Sequence, residues 1–287
     1  GSVAEARAAA RAGAEGIGLF RTEICFLNAD VEPDPEQQFI IYRDALAQFA
    51  GRRVVVRTLD AGSDKPMPFL TFPGEGNPAL GVRGYRTAAR RPGVLSRQLE
   101  AMARASRESG AETWVMAPMI STPAEAAEFA GLARAAGLGT VGVMVEIPSA
   151  ALQAEEILSE VDFVSIGTND LAQYAMATDR QASGLGGLQD PWQPAVLRLL
   201  GMVGDAGRRA GKPVGVCGEA AADPALAAVL VGLGVTSLSM ALRALEPVRR
   251  ALARVTVEDC RRAAEAALAS SSPTAAREEV SRVLEMR

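Results

Sequence analysis

The sequence predicts an α/β fold of the (β/α)8 barrel type, in which parallel strands alternate with helices. Short apolar runs rich in β-formers recur along the chain, with helical stretches between them. Most of these runs are continuously apolar, as expected for parallel strands covered on both faces. Polar residues follow the carboxyl ends of successive runs, where a barrel carries its catalytic residues. With 287 residues, the chain is long enough for one such domain, and we expect a single domain over residues 1–287.

Seven runs qualify as strands, one fewer than a closed barrel needs. Because it requires no eighth strand, an open doubly wound sheet is the alternative that the pattern alone leaves open. In chain order the candidate strands are Gly16–Phe20, Val54–Leu59, Thr113–Pro118, Val141–Ile147, Phe163–Gly167, Pro213–Cys217 and Ser237–Ala241.

The helices between the strands carry recognisable start and stop signals. Proline at a first helical position, Ser/Thr/Asp caps and terminal glycines delimit them. The clearest cases are a capping box of Thr122 and Glu125 around Pro123, a helix over Pro194–Ala210 ending before Gly211, an Asp223 cap followed by Pro224, and two alanine-rich segments after Thr256 separated by Ser270–Pro273.

Composition excludes several classes of protein. The chain is 48% hydrophobic and 22% charged, which excludes a disordered chain. Its 30 basic and 34 acidic residues are interspersed, so we expect no nucleic-acid partner. The chain contains no histidine, which excludes a Ser-His-Asp triad, histidine-ligated zinc and a phosphohistidine formed on this chain. Any chemistry must therefore use Asp, Glu, Cys, Arg or Lys.

Cysteine usage and the termini predict a cytoplasmic protein. Cys25, Cys217 and Cys260 are far apart and lack CxxC spacing, as is typical of a reducing compartment. The uncharged stretch 224–242 is interrupted by glycines and hydroxyl residues, so we expect no membrane span. The chain has neither an initiator methionine nor a signal peptide, and is interpreted as part of a longer protein.

Two carboxylates at strand ends predict a site for a hard cation. Glu146 ends one apolar run, and Asp170 follows the GTN that ends the next. Mg²⁺ prefers one or two carboxylates together with water and substrate oxygens. The alternative is that each carboxylate caps a following helix, with Asp170 preceding a helix over 171–177.

Arginines at the same edge predict an anionic substrate. Four arginines lie at candidate strand ends or in loops near this edge: Arg21, Arg57, Arg83 and Arg180. Planar guanidinium groups bind phosphate and carboxylate through paired hydrogen bonds, so several converging arginines indicate a multiply anionic ligand. The alternative is ordinary surface charge, since the chain has only two lysines.

Cys217 ends a strand in the segment VGVCGEAA. A cysteine in an apolar setting is usually an inert core residue. At a strand end beside a metal site, its thiol is also suited to donate a proton. Cys25 and Cys260 have no comparable setting.

Seven segments in a fixed order give the chain a specific resemblance. Over residues 16–220 it resembles the phosphoenolpyruvate-binding C-terminal domain of Enzyme I of the bacterial sugar phosphotransferase system. Pyruvate phosphate dikinase and phosphoenolpyruvate synthase share the motif order, but LAQYAMATDR is closer to the Enzyme I pattern. The segments are GIGLFRTE, VVVRTLDAGSDKP, NPALGVRGYR, MAPMIS, VGVMVEIPSA, DFVSIGTNDLAQYAMATDR and VGVCGEAA.

The resemblance implies roles for individual residues. Glu146 and Asp170 match ligands of Mg²⁺, with Mn²⁺ as a possible substitute, and Asp170 also lies among the substrate contacts. Cys217 matches the acid that protonates the enolate carbon. The positions that match contacts to the phosphate and carboxylate of phosphoenolpyruvate are Arg21, Arg57, Asn169 and Arg180, with Arg83 and Lys65 as further anion contacts.

The resemblance also implies a reaction and its partners. The phosphoryl group would pass to a histidine on a separate N-terminal domain, and then to the histidine-containing carrier protein for sugar uptake, with release of pyruvate. This domain would carry the homodimer contact, and the first strand of a phosphoenolpyruvate/pyruvate-type barrel would precede Gly1. The segment Gly184–Pro194 lacks a histidine that relatives often place there.

Three alternative functions stay open at this point. One is the corresponding domain of pyruvate phosphate dikinase or phosphoenolpyruvate synthase. Another is a self-sufficient Mg²⁺-dependent lyase or mutase acting on phosphoenolpyruvate or pyruvate, which would need no histidine. A metabolite sensor without turnover is the third, and the joint presence of Glu146, Asp170 and Cys217 speaks against it.

Overall fold

Seven short parallel strands form the framework of the fold. The structure is a computed structural model that describes residues 1–26, 29–61, 67–71, 74–179 and 184–285. The strands are β1 (Ile17–Arg21), β2 (Arg53–Arg57), β3 (Glu112–Ala117), β4 (Thr140–Val145), β5 (Phe163–Gly167), β6 (Val214–Cys217) and β7 (Ser237–Ser239).

Helices separate the strands along the chain. They are α1 (Val3–Arg11), α2 (Pro35–Leu46), α3 (Pro92–Ser109), α4 (Pro123–Ala135), α5 (Pro148–Leu152), α6 (Ala154–Glu160), α7 (Thr168–Ala175), α8 (Pro194–Ala210), α9 (Pro224–Gly232), α10 (Leu242–Leu252), α11 (Val257–Ala269) and α12 (Pro273–Glu285). Short 3₁₀ turns lie at Thr22–Phe26, Ala47–Phe49, Pro78–Leu80, Gly84–Ala89, Gly186–Gln189 and Glu219–Ala222.

The chain packs as two units. The first comprises residues 1–120 and 124–144, and the second comprises residues 121–123 and 145–287. In the first unit the strand order is β1-β2-β3-β4, and Arg21 of β1 pairs in register with Arg57 of β2. In the second unit the order is β5-β6-β7, and Gly167 pairs in register with Cys217.

This arrangement confirms the predicted α/β fold of the (β/α)8 type. Within each unit the parallel strands follow chain order without a reversal, whereas a doubly wound sheet reverses its order at a switch point. The seven strands of the described residues match the seven runs to within two residues at each end, and fit a barrel with one strand absent. The single-domain expectation stays a prediction.

Local sequence explains the helix bounds. Pro194 begins α8, and Gly211 ends it at φ +64°, a conformation that glycine adopts at low cost. The Asp223 side chain accepts hydrogen bonds from the first backbone N–H groups of α9, as predicted. Among the described residues, no helix combines the length and the apolar composition that crossing a bilayer requires.

Candidate functional site

The carboxyl ends of β1 and β2 bring two predicted arginines side by side. Three consecutive valines precede Arg57 in β2, and all four residues are buried. The β-branched side chain of valine fits a sheet that is covered on both faces. In a parallel sheet, residues in register point to the same face, so Arg21 and Arg57 share one face of the first unit. The side chain of Arg21 is exposed, whereas that of Arg57 is buried.

Four buried charged residues of the first unit form one ion-paired group, which we call the charged cluster: Glu23, Arg57, Asp60 and Arg83. Arg57 Nη2 pairs with Glu23 Oε1 and lies 3.5 Å from Asp60 Oδ2. Arg83 donates to both oxygens of Asp60, from Nη2 at 2.8 Å and from Nε at 3.2 Å. Each residue is more than nine-tenths buried, so each guanidinium group needs an opposite charge nearby, and the carboxylates of Glu23 and Asp60 supply one.

A strained turn holds Arg83 in place. Gly84 has φ +57°, and a Cβ atom added there would lie 2.8 Å from Cβ and Cγ of Met119. Met119 itself adopts φ 59°, which is uncommon for a residue with a side chain. The backbone N–H of Tyr85 donates to the Pro118 carbonyl at 3.2 Å. The approach of these two loops therefore fixes the backbone that carries Arg83.

Glu146 and Asp170 are both buried carboxylates of the second unit. Glu146 follows β4, and Asp170 lies in the first turn of α7, which begins at Thr168 rather than at Leu171. The N-cap residues of α5 and α7 are Ile147 and Gly167, so neither carboxylate occupies a cap position. The helix-capping alternative is therefore wrong for both.

These two carboxylates fit a hard divalent cation by their chemistry. No group of three or more His, Cys, Asp or Glu side chains suited to a metal occurs in the described ranges. Mg²⁺ needs fewer protein ligands, since it takes one or two carboxylates and completes its shell with water and substrate oxygens. Oxygen donors alone, without thiolate or imidazole, suit Mg²⁺ or Mn²⁺ better than zinc.

Cys217 and Asn169 come together with Ser165 and Thr168 in what we call the thiol cluster. The Cys217 thiol donates to the Ile166 carbonyl at 3.4 Å and accepts from Ser165 Oγ at 3.9 Å. Thr168 Oγ1 donates to the Cys217 carbonyl at 3.0 Å. The exposed Asn169 side chain accepts from the backbone N–H of Glu219 at 3.3 Å, through Oδ1.

Gly218 makes this close approach possible. Its φ of +103° and ψ of −168° belong to a region that only glycine readily occupies. A Cβ atom there would lie 2.6 Å from Thr168 Oγ1 and 2.9 Å from Asn169 Oδ1. The glycine that follows Cys217 therefore lets the β5 and β6 ends pack against each other.

The segment 184–194 is anchored at its carboxyl end. Both Arg277 Nη atoms, on α12, pair with the Asp190 carboxylate at 2.7 Å. Trp192 is buried and donates from Nε1 to Asp223 at 2.8 Å. The 3₁₀ turn Gly186–Gln189 precedes this anchor. The segment is thus tied to α12 and to the start of α9.

The structure brings some of the predicted site residues together. It joins Arg57 with Arg83 through Asp60, and Asn169 with Cys217 through their backbone neighbours. Arg180 and Lys65 lie outside the described residues. The sequence places Glu23 and Asp60 at strand ends but assigns them no role, and only the structure reveals them as partners of the arginines.

The other two cysteines are not part of the thiol cluster. None of the three cysteines forms a disulfide. Burial raises the pKa of the Cys25 thiol to about 11, and burial also raises the pKa of Cys260. Both thiols therefore stay protonated and unreactive near neutral pH.

Comparison with known proteins identifies close relatives. Residues 1–257 match the family described as PEP-utilising enzyme, PEP-binding domain. The chain is 54% identical over 99% of its length to a phosphoenolpyruvate-protein phosphotransferase of Streptomyces coelicolor, covering 51% of that protein. It is 42% identical over 89% of its length to the phosphoenolpyruvate-protein phosphotransferase of Geobacillus stearothermophilus, covering 46% of it. The chain thus spans about half the length of these relatives.

A solved structure supports the fold. An HpcH/HpaI aldolase/citrate lyase family protein from Burkholderia cenocepacia superposes with a TM-score of 0.53. The two chains are 22% identical, and the match covers 88% of this chain and 90% of that one. At this identity, the likeness concerns the fold alone.

Proposed function

The chain belongs to the family of the phosphoenolpyruvate-binding domain of PEP-utilising enzymes, and from this premise we propose that it binds phosphoenolpyruvate and supports transfer of its phosphoryl group to a histidine of another domain. The relatives above are named as a phosphotransferase enzyme, which supports this reaction. Because the chain itself has no histidine, the acceptor must lie outside it.

The observation that carries the proposal is the charged cluster. Two buried guanidinium groups at a strand end are held by carboxylates in this structure. A phosphate or carboxylate of the substrate can accept the same paired hydrogen bonds from a guanidinium group as those side chains do. Arg57 and Arg83 are therefore preorganised to bind a multiply anionic ligand, and exposed Arg21 adds a third cation at the same strand ends.

We assign Glu146 and Asp170 to Mg²⁺, with Mn²⁺ as a substitute. The cation, when bound, would supply charge neutralisation to the phosphate and to the enolate that remains after transfer. The two buried carboxylates would hold it, and Asn169 would contact the substrate beside Asp170. In the second unit, the start of α7 thus provides both a metal ligand and a polar substrate contact.

The chemistry assigned to this chain is positioning and proton delivery. The P–O bond of phosphoenolpyruvate breaks as a P–N bond forms with the acceptor histidine, while arginines stabilise the transferring phosphoryl group. The electrons of the broken bond remain on the enolate. Cys217 then gives its thiol proton to C3, which yields pyruvate, and solvent restores the proton. The thiol must first leave the Ile166 carbonyl to which it now donates.

The same proposal extends to partners. The relatives are about twice as long as this chain, which leaves room for the histidine domain. We propose that this domain passes the phosphoryl group to the histidine-containing carrier protein in sugar uptake.

We also propose that the chain forms a homodimer and acts in the cytoplasm. Light scattering across a concentration series tests the dimer, and a monomeric mass up to high micromolar concentration would exclude it.

Calorimetric titration of phosphoenolpyruvate into the chain tests the central proposal. We expect binding that weakens when a chelator removes Mg²⁺, because Glu146 and Asp170 would then repel the anion. Arg57→Lys keeps a charge but loses the paired hydrogen bonds, and Arg57→Ala loses about 2–5 kcal/mol of binding. Arg104→Ala, which removes an exposed guanidinium paired with Glu36, is the control expected to bind normally. Binding indifferent to chelator and to both Arg57 variants would refute the proposal.

A second experiment separates phosphotransfer from the lyase and mutase alternatives. The chain is mixed with a histidine-bearing N-terminal domain, Mg²⁺ and phosphoenolpyruvate labelled in its phosphate. We expect the label on that domain's histidine, with pyruvate released in proportion. Conversion of the substrate by the chain alone would favour a self-sufficient lyase or mutase instead.

A further inference from the structure

A buried amide lies beneath the charged cluster. Gln98, in the second turn of α3, has only 1% of its surface exposed and lies in a helix stripe that also buries Val94 and Met102. A polar side chain at such a position destabilises the fold unless its hydrogen bonds are all satisfied. The partners that satisfy it show what the amide does.

Three hydrogen bonds hold the Gln98 side chain. They use both N–H donors of the amide nitrogen and one lone pair of the amide oxygen. Gln98 Nε2 donates to Thr22 Oγ1 at 3.1 Å and to the Tyr42 hydroxyl at 3.0 Å. Gln98 Oε1 accepts from the backbone N–H of Leu59 at 3.0 Å. Thr22 and Tyr42 are as deeply buried as the amide. The amide orientation is therefore fixed, since flipping it would place two donors or two acceptors face to face.

Two of these bonds hold the chain segments that carry the charged cluster. Thr22 immediately precedes Glu23, and its hydroxyl donates to the carbonyl of Arg57 at 2.9 Å. Leu59 immediately precedes Asp60. One side chain of α3 thus ties the Thr22 side chain, after β1, to the backbone after β2. Thr22 and Leu59 adjoin two of the four cluster members, and the Thr22 hydroxyl bonds the carbonyl of a third, Arg57.

We propose that Gln98 is a positioning residue for the anion-binding arginines, acting through Thr22 and Leu59 without touching the substrate. The inference rests on the proposed function, because it assigns the amide to the site that binds phosphoenolpyruvate. Ion pairs between buried groups depend steeply on geometry, so loosening either backbone segment misplaces Arg57 relative to its ligand. The third bond, to Tyr42, only anchors the amide on α2.

That third bond supplies the matched control. Tyr42→Phe removes one hydrogen bond from the same amide but leaves the links to Thr22 and Leu59 intact. Gln98→Met keeps the side-chain length and removes all three bonds. A purely structural role predicts that both variants change stability and neither changes ligand binding selectively. A positioning role predicts that only Gln98→Met changes binding.

The test measures phosphoenolpyruvate affinity by calorimetry in Mg²⁺, and the melting temperature of each variant without ligand. We expect Gln98→Met to weaken binding about tenfold or more, as displaced positioning contacts do. Tyr42→Phe should melt a few degrees lower and bind within about twofold of wild type. Amide hydrogen exchange at Leu59 should accelerate in Gln98→Met only.

Two variants of Thr22 repeat the test without touching the amide. Thr22→Val removes the hydroxyl that links Gln98 to the Arg57 carbonyl, whereas Thr22→Ser retains it. We expect weakened binding in the first and near-normal binding in the second. This pair decides the proposal if Gln98→Met does not fold.

The outcomes separate the two proposals. If wild type binds and Gln98→Met or Thr22→Val binds equally well, the positioning role is refuted and the proposed function stands. If Tyr42→Phe weakens binding as much as Gln98→Met, the amide is only a packing element and the positioning role is again refuted. If wild type itself fails to bind phosphoenolpyruvate, the proposed function falls, and the assignment of Gln98 falls with it.

Discussion

The charged cluster and the thiol cluster are stabilised by opposite means. In the charged cluster, buried guanidinium groups of Arg57 and Arg83 are balanced by the carboxylates of Glu23 and Asp60. In the thiol cluster, Cys217 is held by neutral hydrogen bonds, mostly to backbone groups. Both follow strand ends, and both are largely buried.

The difference indicates how each cluster would respond to a ligand. An incoming anion can compete with a carboxylate side chain for a guanidinium group, because both accept its paired N–H donors. Neutral bonds to backbone leave no such partner to displace, so the thiol cluster keeps its geometry when the anion binds, and only the thiol itself must later turn away from the Ile166 carbonyl. The first cluster is thus suited to binding an anion, and the second to holding one reactive atom in place. The variants below test that division.

Cys217→Ala should have the largest effect, and on turnover alone. Loss of a general acid lowers rate by about 10²- to 10⁴-fold, so pyruvate release in the system completed with the N-terminal domain should fall by that factor. Phosphoenolpyruvate binding should stay nearly intact, because the anion contacts that we propose are arginines and Asn169. Release of pyruvate and exchange of substrate C3 protons with solvent are the measurements.

The other cysteines provide the controls for this prediction. Cys25→Ala and Cys260→Ala should leave pyruvate release unchanged, since the Cys25 thiol donates to the Gly1 carbonyl and Cys260 lies within α11, so neither belongs to the thiol cluster. Normal turnover of Cys217→Ala, with a melting temperature several degrees lower, would show that the thiol only fills space in the core.

Asp60→Asn should have the next largest effect, this time on folding. The substitution removes a buried carboxylate that pairs with both guanidinium groups, and breaking such a buried pair costs about 3–5 kcal/mol. Phosphoenolpyruvate should then raise the melting temperature of the variant more than that of wild type, because the anion replaces the carboxylate that the guanidinium groups have lost. Thermal unfolding with and without ligand measures both effects.

Asp44→Asn is the matched control for the charged cluster. Asp44 pairs with Arg43 on the surface of α2, where nearly half of its side chain is exposed. Exposed ion pairs contribute little to the free energy of unfolding, so Asp44→Asn should lower it by less than about 1 kcal/mol. An equally small loss in Asp60→Asn would contradict the role of charge balance in the cluster.

The sequence predicts the strands well for a simple physical reason. Buried parallel strands need continuous apolar runs, so Val54–Val56 and Phe163–Gly167 are visible without tertiary information. Proline and glycine likewise define α8 to the residue. The position of Asp170 relative to its helix is harder to predict. The same sequence is compatible with a helix that begins at Thr168 and with a helix that Asp170 caps.

Long-range pairing is what the sequence does not predict. Glu23 and Arg57 are separated by 34 residues, and Arg83 and Asp60 by 23, so their contacts depend on how strands and loops meet. Gln98 does leave a signal, since it is a polar residue within an otherwise apolar helix stripe. The identity of its partners, however, follows only from the packing of α3 against α2 and against the segments that follow β1 and β2.

Gly218→Ala tests the rigidity of the thiol cluster and should have an intermediate effect. The new Cβ atom would meet Thr168 Oγ1 at 2.6 Å in a backbone region that only glycine readily occupies. Gly211→Ala is the control, because Gly211 also has positive φ but has nothing within 4 Å of an added Cβ. We expect Gly218→Ala to lose about 1–3 kcal/mol more unfolding free energy than the control. Equal losses would mean that the β5 and β6 ends can move apart.

The smallest effect is expected at the ion pair of Asp190 and Arg277, which is charged like the first cluster but largely solvated. Burial alone would raise the pKa of Asp190, but hydrogen bonds from Arg277 and from the Trp192 backbone outweigh it and hold the pKa below 3.8. A carboxylate with a lowered pKa stabilises the fold above its unfolded pKa, and this contribution is lost as pH falls through the folded pKa.

Arg277→Met should therefore cost at most about 1 kcal/mol at neutral pH, because the guanidinium is partly exposed. The difference between wild type and variant should shrink as pH falls through the lowered pKa of Asp190 in the folded protein, because the carboxylate is protonated in both proteins below it. Urea unfolding of both proteins from pH 7 to pH 3 measures it. A difference that is independent of pH would assign the effect to lost packing of Arg277 over the Trp192 ring, 5.4 Å away, rather than to charge.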